Sequence, residues 1–381
     1  MNTQYTIILF IVIFTNSILS VEFNIIASLS REENPQVIGH AGASGYVPES
    51  SLIGYDLAAN LLADYSEPDL ILTKDSEFIA NHDLTLEGTT NVASLFPPSR
   101  METFVIEGKS ITGYYAINFT LAEVKTLTIK QRFSDRSTLY NWLFQMPTID
   151  EIIDWQISHY NNTNRLVGIY PELKHPDFYN SMGYPMEILL LQKLKEKGYH
   201  TDYDDMNTPN DLNKVVPVAI QCFKAPSLKL LSKLTRIPLV QLIGTSDELP
   251  YPSLVWNEKI LDDIKTYAQA ASPDKKIFTT DMNTTVEEAI IMRKWAFERN
   301  LQFVPWSFQL ENQYIPKQFN NDSRAEVQFF YGCLQANAIF HEFPDFARAV
   351  KDECRSNDSN NNNKIDTGCL LQCPYLFTNN V

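Results

Sequence analysis

Two histidines, His40 and His82, flank a pair of carboxylates, Glu67 and Asp69, in the N-terminal part of the chain. Imidazole is the side chain best matched to accept and release protons near neutral pH. Glu67 and Asp69 stand two apart on an expected strand, so both side chains point to one side. Carboxylates pointing together repel, and a bound divalent cation removes the repulsion. All-oxygen ligation favours Ca2+ or Mg2+ over zinc. Glu172, in Tyr170-Pro-Glu-Leu-Lys174, ends the next expected strand and completes the set. Lys174 follows it by two residues and faces the same side. It either offers charge to a phosphate oxygen or neutralises Glu172. Taken singly, each acid reads as a salt-bridge or cap residue and each histidine as a hydrogen-bonded strand end. Together they suit metal-assisted displacement at phosphorus, one histidine as base and the other as acid. Gly39, Gly42 and Gly45 permit a tight loop near His40 and a close backbone approach to an anion. His159, His175, His200 and His341 lack such company and are expected to be structural or surface residues.

The elements that must position these groups follow from the apolar pattern. Strands are expected at 36–40, 66–72, 167–173, 216–222, 238–243, 276–279, 302–306 and 338–341. Helical segments are expected at 52–62, 185–197, 227–233, 257–271, 286–299 and 324–334. In 286–299, Ala289, Ile290, Met292, Trp295 and Ala296 share one face, which reads as core packing. Eight short strands alternating with helices predict an α/β fold, a TIM (β/α)8 barrel. An open doubly wound sheet is the alternative, but no glycine-rich dinucleotide loop supports it. Residues 91–164, aromatic and polar, break the rhythm and read as one insertion after the second strand, on the catalytic face.

The rest of the chain bounds the setting. With 381 residues and 44% apolar composition it can bury a large core. Its net charge of −15 and lack of a basic stripe argue against nucleic acid as a partner. Residues 1–20 read as a signal peptide: the apolar run is shorter than the ~20 residues of a membrane span. No later stretch suits a stable span, so the expected location is secreted or the secretory lumen. The barrel is expected over 36–350, followed by a Cys- and Asn-rich tail over 351–381. Cys354 is placed to pair with Cys369 or Cys373, and five sequons (Asn118, Asn161, Asn283, Asn321, Asn357) suit glycosylation.

The ordered motifs resemble the glycerophosphodiester phosphodiesterase family, in particular its longer secreted or periplasmic branch. The residues carrying the resemblance are His40-Ala-Gly-Ala-Ser-Gly-Tyr-Val-Pro-Glu49, Glu67-Pro-Asp69, Thr73-Lys-Asp-Ser76 and His82-Asp83. Glu172-Leu-Lys174, Gln221-Cys-Phe223 and Phe343-Pro-Asp345 follow in the family's order. The resemblance implies a TIM barrel, with Glu67, Asp69 and Glu172 as metal ligands and His40 and His82 as the acid–base pair. It also implies hydrolysis of glycerophosphodiesters to glycerol 3-phosphate and an alcohol. Three positions depart from the family. Ala41 stands where the family has a phosphate-binding arginine, Ser76 replaces a glycine, and Glu342 replaces an aspartate. Arg132 and Arg136, in the insertion, are the candidates to supply the missing guanidinium. Two other readings remain open: a weakly active or non-catalytic secreted binding protein, and a phospholipase D-like enzyme acting on lysophospholipids.

Overall fold

Val37 and Ile38 are fully buried in β1 (Gln36–His40), the first of a ring of short parallel strands. The structure is a computed structural model that describes residues 35–202, 211–245 and 255–356. The expected signal peptide, Asn357, Cys369 and Cys373 lie outside the described residues. The strands that follow are β2 (Tyr65–Glu67), β3 (Asp69–Leu72) and β4 (Phe78–Ala80), then the hairpin β5 (Glu102–Ile106) and β6 (Lys109–Gly113). After these come β7 (Gly168–Ile169), β8 (Glu172–Leu173), β9 (Ile220–Cys222) and β10 (Leu239–Ile243). The last are β11 (Ala270–Pro273), β12 (Gln302–Phe303) and β13 (Ala338–His341).

Prolines divide two of the barrel staves. Pro68 separates β2 from β3, and Pro171 lies between β7 and β8, because proline has no N–H for the ladder. Counting each interrupted stave once gives eight. Parallel pairing runs β13–β1–β2–β7 and β12–β11–β10–β9–β8–β3. The ring closes between the last two staves, where Asn337 N donates to Phe303 O (2.9 Å) and Phe340 N to Pro305 O (3.2 Å).

An inner cluster shows the closure independently. Ile38, Tyr65, Tyr170, Ala219, Val240, Ala270, Val304 and Ala338 are packed together, one from each stave, with Phe340 above them. Tyr170 meets Tyr65 and Phe340 edge to face, at 5.6 and 5.4 Å between ring centroids. Side chains alternate along a strand, so residues two further on form the next layer up the lumen. That layer contains His40, Glu67, Glu172, Gln221, Leu242, Ser272, Trp306 and Phe340, with Glu342 two residues beyond Phe340. The packed plug is thus the floor of the site. Gly168 makes room for it: a Cβ there falls 2.2 Å from the Tyr65 ring.

The sixth stave differs from expectation. It is Ala270–Pro273, whereas the expected strand 276–279 overlaps a 3-10 turn at Lys275–Phe278. The helix expected at 257–271 ends at Ile264. Small residues (Ala-Ala-Ser) carry no β-branched signal, yet they fit the crowded lumen, where Ala270 and Ser272 are fully buried. The expected helix 324–334 is helical over Ser323–Gln328 and continues as a buried π turn at Phe329–Cys333. Ala289 and Ala296 are fully buried in Val286–Glu298, with Ile290, Met292 and Trp295 partly buried against the core.

The region expected as one insertion is composite. Its end, Ile149–Thr163, is a regular helix that buries Ile149, Ile152 and Ile153 and serves as the second barrel helix. A Thr148–Glu151 capping box starts it and Asn164 stops it in the left-handed conformation (φ 56). The true extra structure therefore lies between β3 and Thr148. No helix among the described residues is long and apolar enough to cross a membrane.

Candidate active site

His40 ends β1, and the chain turns at once through Ala41 (φ 49) and Gly42 (φ 86). At Gly42 a Cβ lands 2.7 Å from the Gly54 backbone, so only glycine lets the loop lie on the helix Leu52–Asn60. The turn aims Ala41 N at Glu67 Oε2 (2.9 Å). Behind the imidazole, Nδ1 of His40 lies 3.2 Å from Oε1 of Glu342. Glu342 is buried and held by Arg136, which also pairs with Glu311 (2.6 Å), and by Gln309 (3.1 Å). Burial opposes charge on His40, but Glu342 and then Glu67 outweigh it and raise the imidazole to about 9. Glu342 is held down at about 2: burial opposes its charge, and His40 and Arg136 prevail.

The register places the carboxylates together. Glu67 pairs with His40 across β1–β2, and Asp69 pairs with Glu172 across β3–β8. Glu67, Asp69 and Glu172 each offer an oxygen, and these lie within 4.8 Å of one another. Gln221 Nε2 donates to Glu67 Oε1 (2.9 Å). Burial pushes Glu67 up to about 8, with Asp69 adding repulsion, and pushes Glu172 up to about 7. Asp69 stays below the usual range: burial opposes its charge, but Lys174 and the two imidazoles win. Asp69 Oδ2 is buried without a hydrogen-bond partner. An orphaned anionic oxygen among three buried acids, with no thiol in the set, fits a hard divalent cation.

Lys174 is not a free arm reaching for substrate. Its Nζ lies 2.9 Å from Glu172 Oε1 and 3.3 Å from Asp69 Oδ1, and it is itself buried. Lys174 also lines the cavity that His40 and His82 share.

His82 arrives by a different route. Beyond β3 the chain reverses through a tight turn at Ser76 (φ 65) and returns antiparallel as β4, bringing Asn81 N to Asp69 O (2.9 Å). Asn81 then pins the bend, donating to Asp83 O (2.6 Å) and accepting from Thr89 Oγ1 (2.6 Å). His82 Nδ1 lies 2.8 Å from Asp83 Oδ1. The Lys174 charge and burial lower the His82 pKa. The two histidines are thereby driven apart, one toward imidazolium and one toward neutral imidazole.

Both line one mouth, a cavity of about 610 Å3. Its outer wall is the β5–β6 hairpin, whose tip places Ile106, Glu107 and Lys109 over the barrel. Glu107 Oε1 meets Lys224 Nζ (2.7 Å) and His175 Nδ1 (3.4 Å), which follow separate staves. His175 is expected from the sequence to be a structural or surface residue, and Glu107 carries no motif that would mark it. Gln221 was legible only as a family landmark, although its place two residues beyond Ala219 puts it in the site layer. His159, by contrast, stacks on Trp155 in the helix Ile149–Thr163. His341 is fully buried among Phe308, Phe343 and Phe346, and its Nδ1 accepts from Phe343 N (2.9 Å).

Fold and site together define a (β/α)8 hydrolase with a carboxylate cluster and two histidines. The family model for the glycerophosphoryl diester phosphodiesterase family matches residues 40–323. The chain is 32% identical over 320 residues to glycerophosphodiester phosphodiesterase GDPD6 of Arabidopsis thaliana, covering 81% of this chain and 84% of that protein. It is 30% identical over 253 residues to the Haemophilus influenzae glycerophosphodiester phosphodiesterase, 63% of each chain. A solved phosphodiesterase from Oleispira antarctica has the same fold, with a TM-score of 0.53 at 17% identity, covering 84% of this chain and 97% of that one. The chain belongs to the glycerophosphoryl diester phosphodiesterase family, and its enzyme class is that of the glycerophosphodiester hydrolases.

Proposed function

We propose that this enzyme is secreted, depends on a divalent metal, and cleaves glycerophosphodiesters to glycerol 3-phosphate and an alcohol. The observation that carries the proposal is the buried triad Glu67, Asp69 and Glu172, with Asp69 Oδ2 orphaned and a histidine on either side. These three residues would hold Ca2+ or Mg2+, which supplies Lewis acidity toward a phosphoryl oxygen. His40, held as imidazolium by Glu342, donates its proton to the leaving alcohol oxygen as the P–O bond breaks. His82, kept neutral, takes a proton from the water whose oxygen bonds to phosphorus. The Oleispira relative was solved with the product sn-glycerol 3-phosphate, which supports this choice of product.

Export draws support from Cys333 and Cys354, both disulfide-bonded, as an oxidising compartment allows. The lysophospholipid alternative rests on the apolar wall of the mouth, formed by Ile106, Ile111, Tyr115 and Phe223. Purified protein is assayed on glycerophosphocholine and on lysophosphatidylcholine, with and without chelator. Release of glycerol 3-phosphate from the first substrate, abolished by EDTA and restored by Mg2+ or Ca2+, is the expected result. Full activity in EDTA refutes the metal assignment, and preference for the lysolipid favours the alternative.

A further inference from the structure

Position 41, next to His40, carries only a methyl group and supplies no cation. Ala41 faces a small recess of about 140 Å3 that His40, Glu49, Asp69, His82 and Gln309 also line. Arg132 enters that recess from the segment between β6 and the helix Ile149–Thr163. Its guanidinium pairs through Nη2 with Asp83, lies 3.4 Å from His82 Nδ1, and approaches Glu49 Oε1 through Nε at 3.7 Å. Nη1 makes no hydrogen bond among the described residues.

Lys109 and Lys224 line the larger cavity and not this recess, and the other cations deep in the centre are committed. Lys174 is enclosed by Asp69 and Glu172. Arg136 has only 3% of its side chain exposed and is taken up by Glu342, Glu311 and the carbonyl of Ser44, whereas Arg132 keeps 23% exposed. A guanidinium tethered on one edge presents its remaining donors in a fixed plane, the geometry that matches two phosphoryl oxygens. Asp83 touches both His82 and Arg132, so one carboxylate aims the histidine and the guanidinium at the same space.

We infer that Arg132 binds the phosphoryl group of the substrate, supplying from the inserted segment the guanidinium that position 41 lacks. The inference rests on the phosphodiesterase reading above and adds a specific anchor to it. Arg132→Ala and Arg132→Lys are compared with wild type in the metal-loaded full chain. In Arg132→Ala, kcat/KM for glycerophosphocholine is expected to fall about 100-fold. Binding of glycerol 3-phosphate, followed by calorimetry, is expected to weaken at least roughly tenfold. Methylguanidine is expected to restore part of the turnover in Arg132→Ala and none in Asp83→Asn, while Arg132→Lys recovers little. Unchanged glycerol 3-phosphate affinity in Arg132→Ala, with no rescue by methylguanidine, overturns the inference and leaves Arg132 as a tie for Asp83. If wild type turns over no glycerophosphodiester, the phosphodiesterase reading fails, and the binding comparison still decides the role of Arg132.

Discussion

Nδ1 of His40 and Oε1 of Glu342 lie 3.2 Å apart although they are separated by nearly the whole barrel in sequence. The first and last staves are neighbours, so closing the ring is what makes this contact. Glu342 and Glu67 lift His40 to about 9 against the cost of burial.

That lift has a consequence for stability. A histidine whose folded pKa exceeds its unfolded value of ~6.5 stabilises the fold fully below that pH. The contribution is lost as pH rises through about 9. In metal-free protein the His40 contribution is therefore expected to fall by about 2–3 kcal/mol between those limits, and the raised Glu67 and Glu172 lose stability in the same direction there. Glu342→Gln is expected to lower stability throughout, because Arg136 loses a partner, and to flatten the slope. Urea unfolding at a series of pH values measures both, and an unchanged slope in Glu342→Gln contradicts the pairing.

The carboxylate cluster predicts proton release on metal binding. Glu67 and Glu172 are raised to about 8 and about 7, chiefly by burial, so at neutral pH they hold protons that a cation displaces. Calorimetry of Mg2+ or Ca2+ binding in buffers of different ionisation enthalpy is expected to show about one proton released per metal at pH 7. Affinity is expected to rise with pH up to about 8. Asp69→Asn is expected to abolish binding, and heat independent of buffer contradicts this picture.

Ala41→Arg separates an impaired site from a re-engineered one. With Arg132 serving the phosphate, adding a second guanidinium to the wild type is expected to change kcat/KM by less than about threefold. In the Arg132→Ala background the same substitution is expected to restore at least about tenfold. Steady-state kinetics on glycerophosphocholine reads both values. A large gain in the wild-type background shows that the natural site lacks a phosphate anchor.

Glu107 joins the roof of the mouth to two staves, through Lys224 and His175. Those partners draw its carboxyl down to about 2, His175 first, so Glu107 is ionised at neutral pH and Lys224 keeps its anionic partner. Glu107→Ala is expected to raise KM for glycerophosphodiesters by about fivefold with kcat within about twofold, since no reacting atom is touched. A fall in kcat at constant KM places Glu107 in the chemistry instead.

Much of this site was legible because its residues sit at fixed intervals on strands. Period-two spacing puts Glu67 and Asp69, and likewise Glu172 and Lys174, on one side, and the structure keeps both relationships. The sixth stave was hidden because Ala270, Ala271 and Ser272 were chosen by the lumen for size, not by strand propensity. The boundary of the inserted segment was misplaced because the helix Ile149–Thr163 follows aromatic, polar sequence without a break. Lys174 could be read two ways, as a phosphate contact or a neutralising partner, because one ammonium on that side can serve either, and the structure adds its 2.9 Å contact with Glu172. Arg132, Asp83 and Glu49 converge through loops, and no periodicity in a chain announces a contact of that kind.

The products formed from glycerophosphocholine in 18O-labelled water test the proposed chemistry most directly. Phosphorus NMR of a metal-loaded reaction is expected to show glycerol 3-phosphate carrying the label on phosphorus, with unlabelled choline released. His40→Ala and His82→Ala are expected to lose at least about 1,000-fold in rate under the same conditions. Phosphocholine as the product, label in the alcohol, or undiminished turnover in either histidine variant contradicts the mechanism.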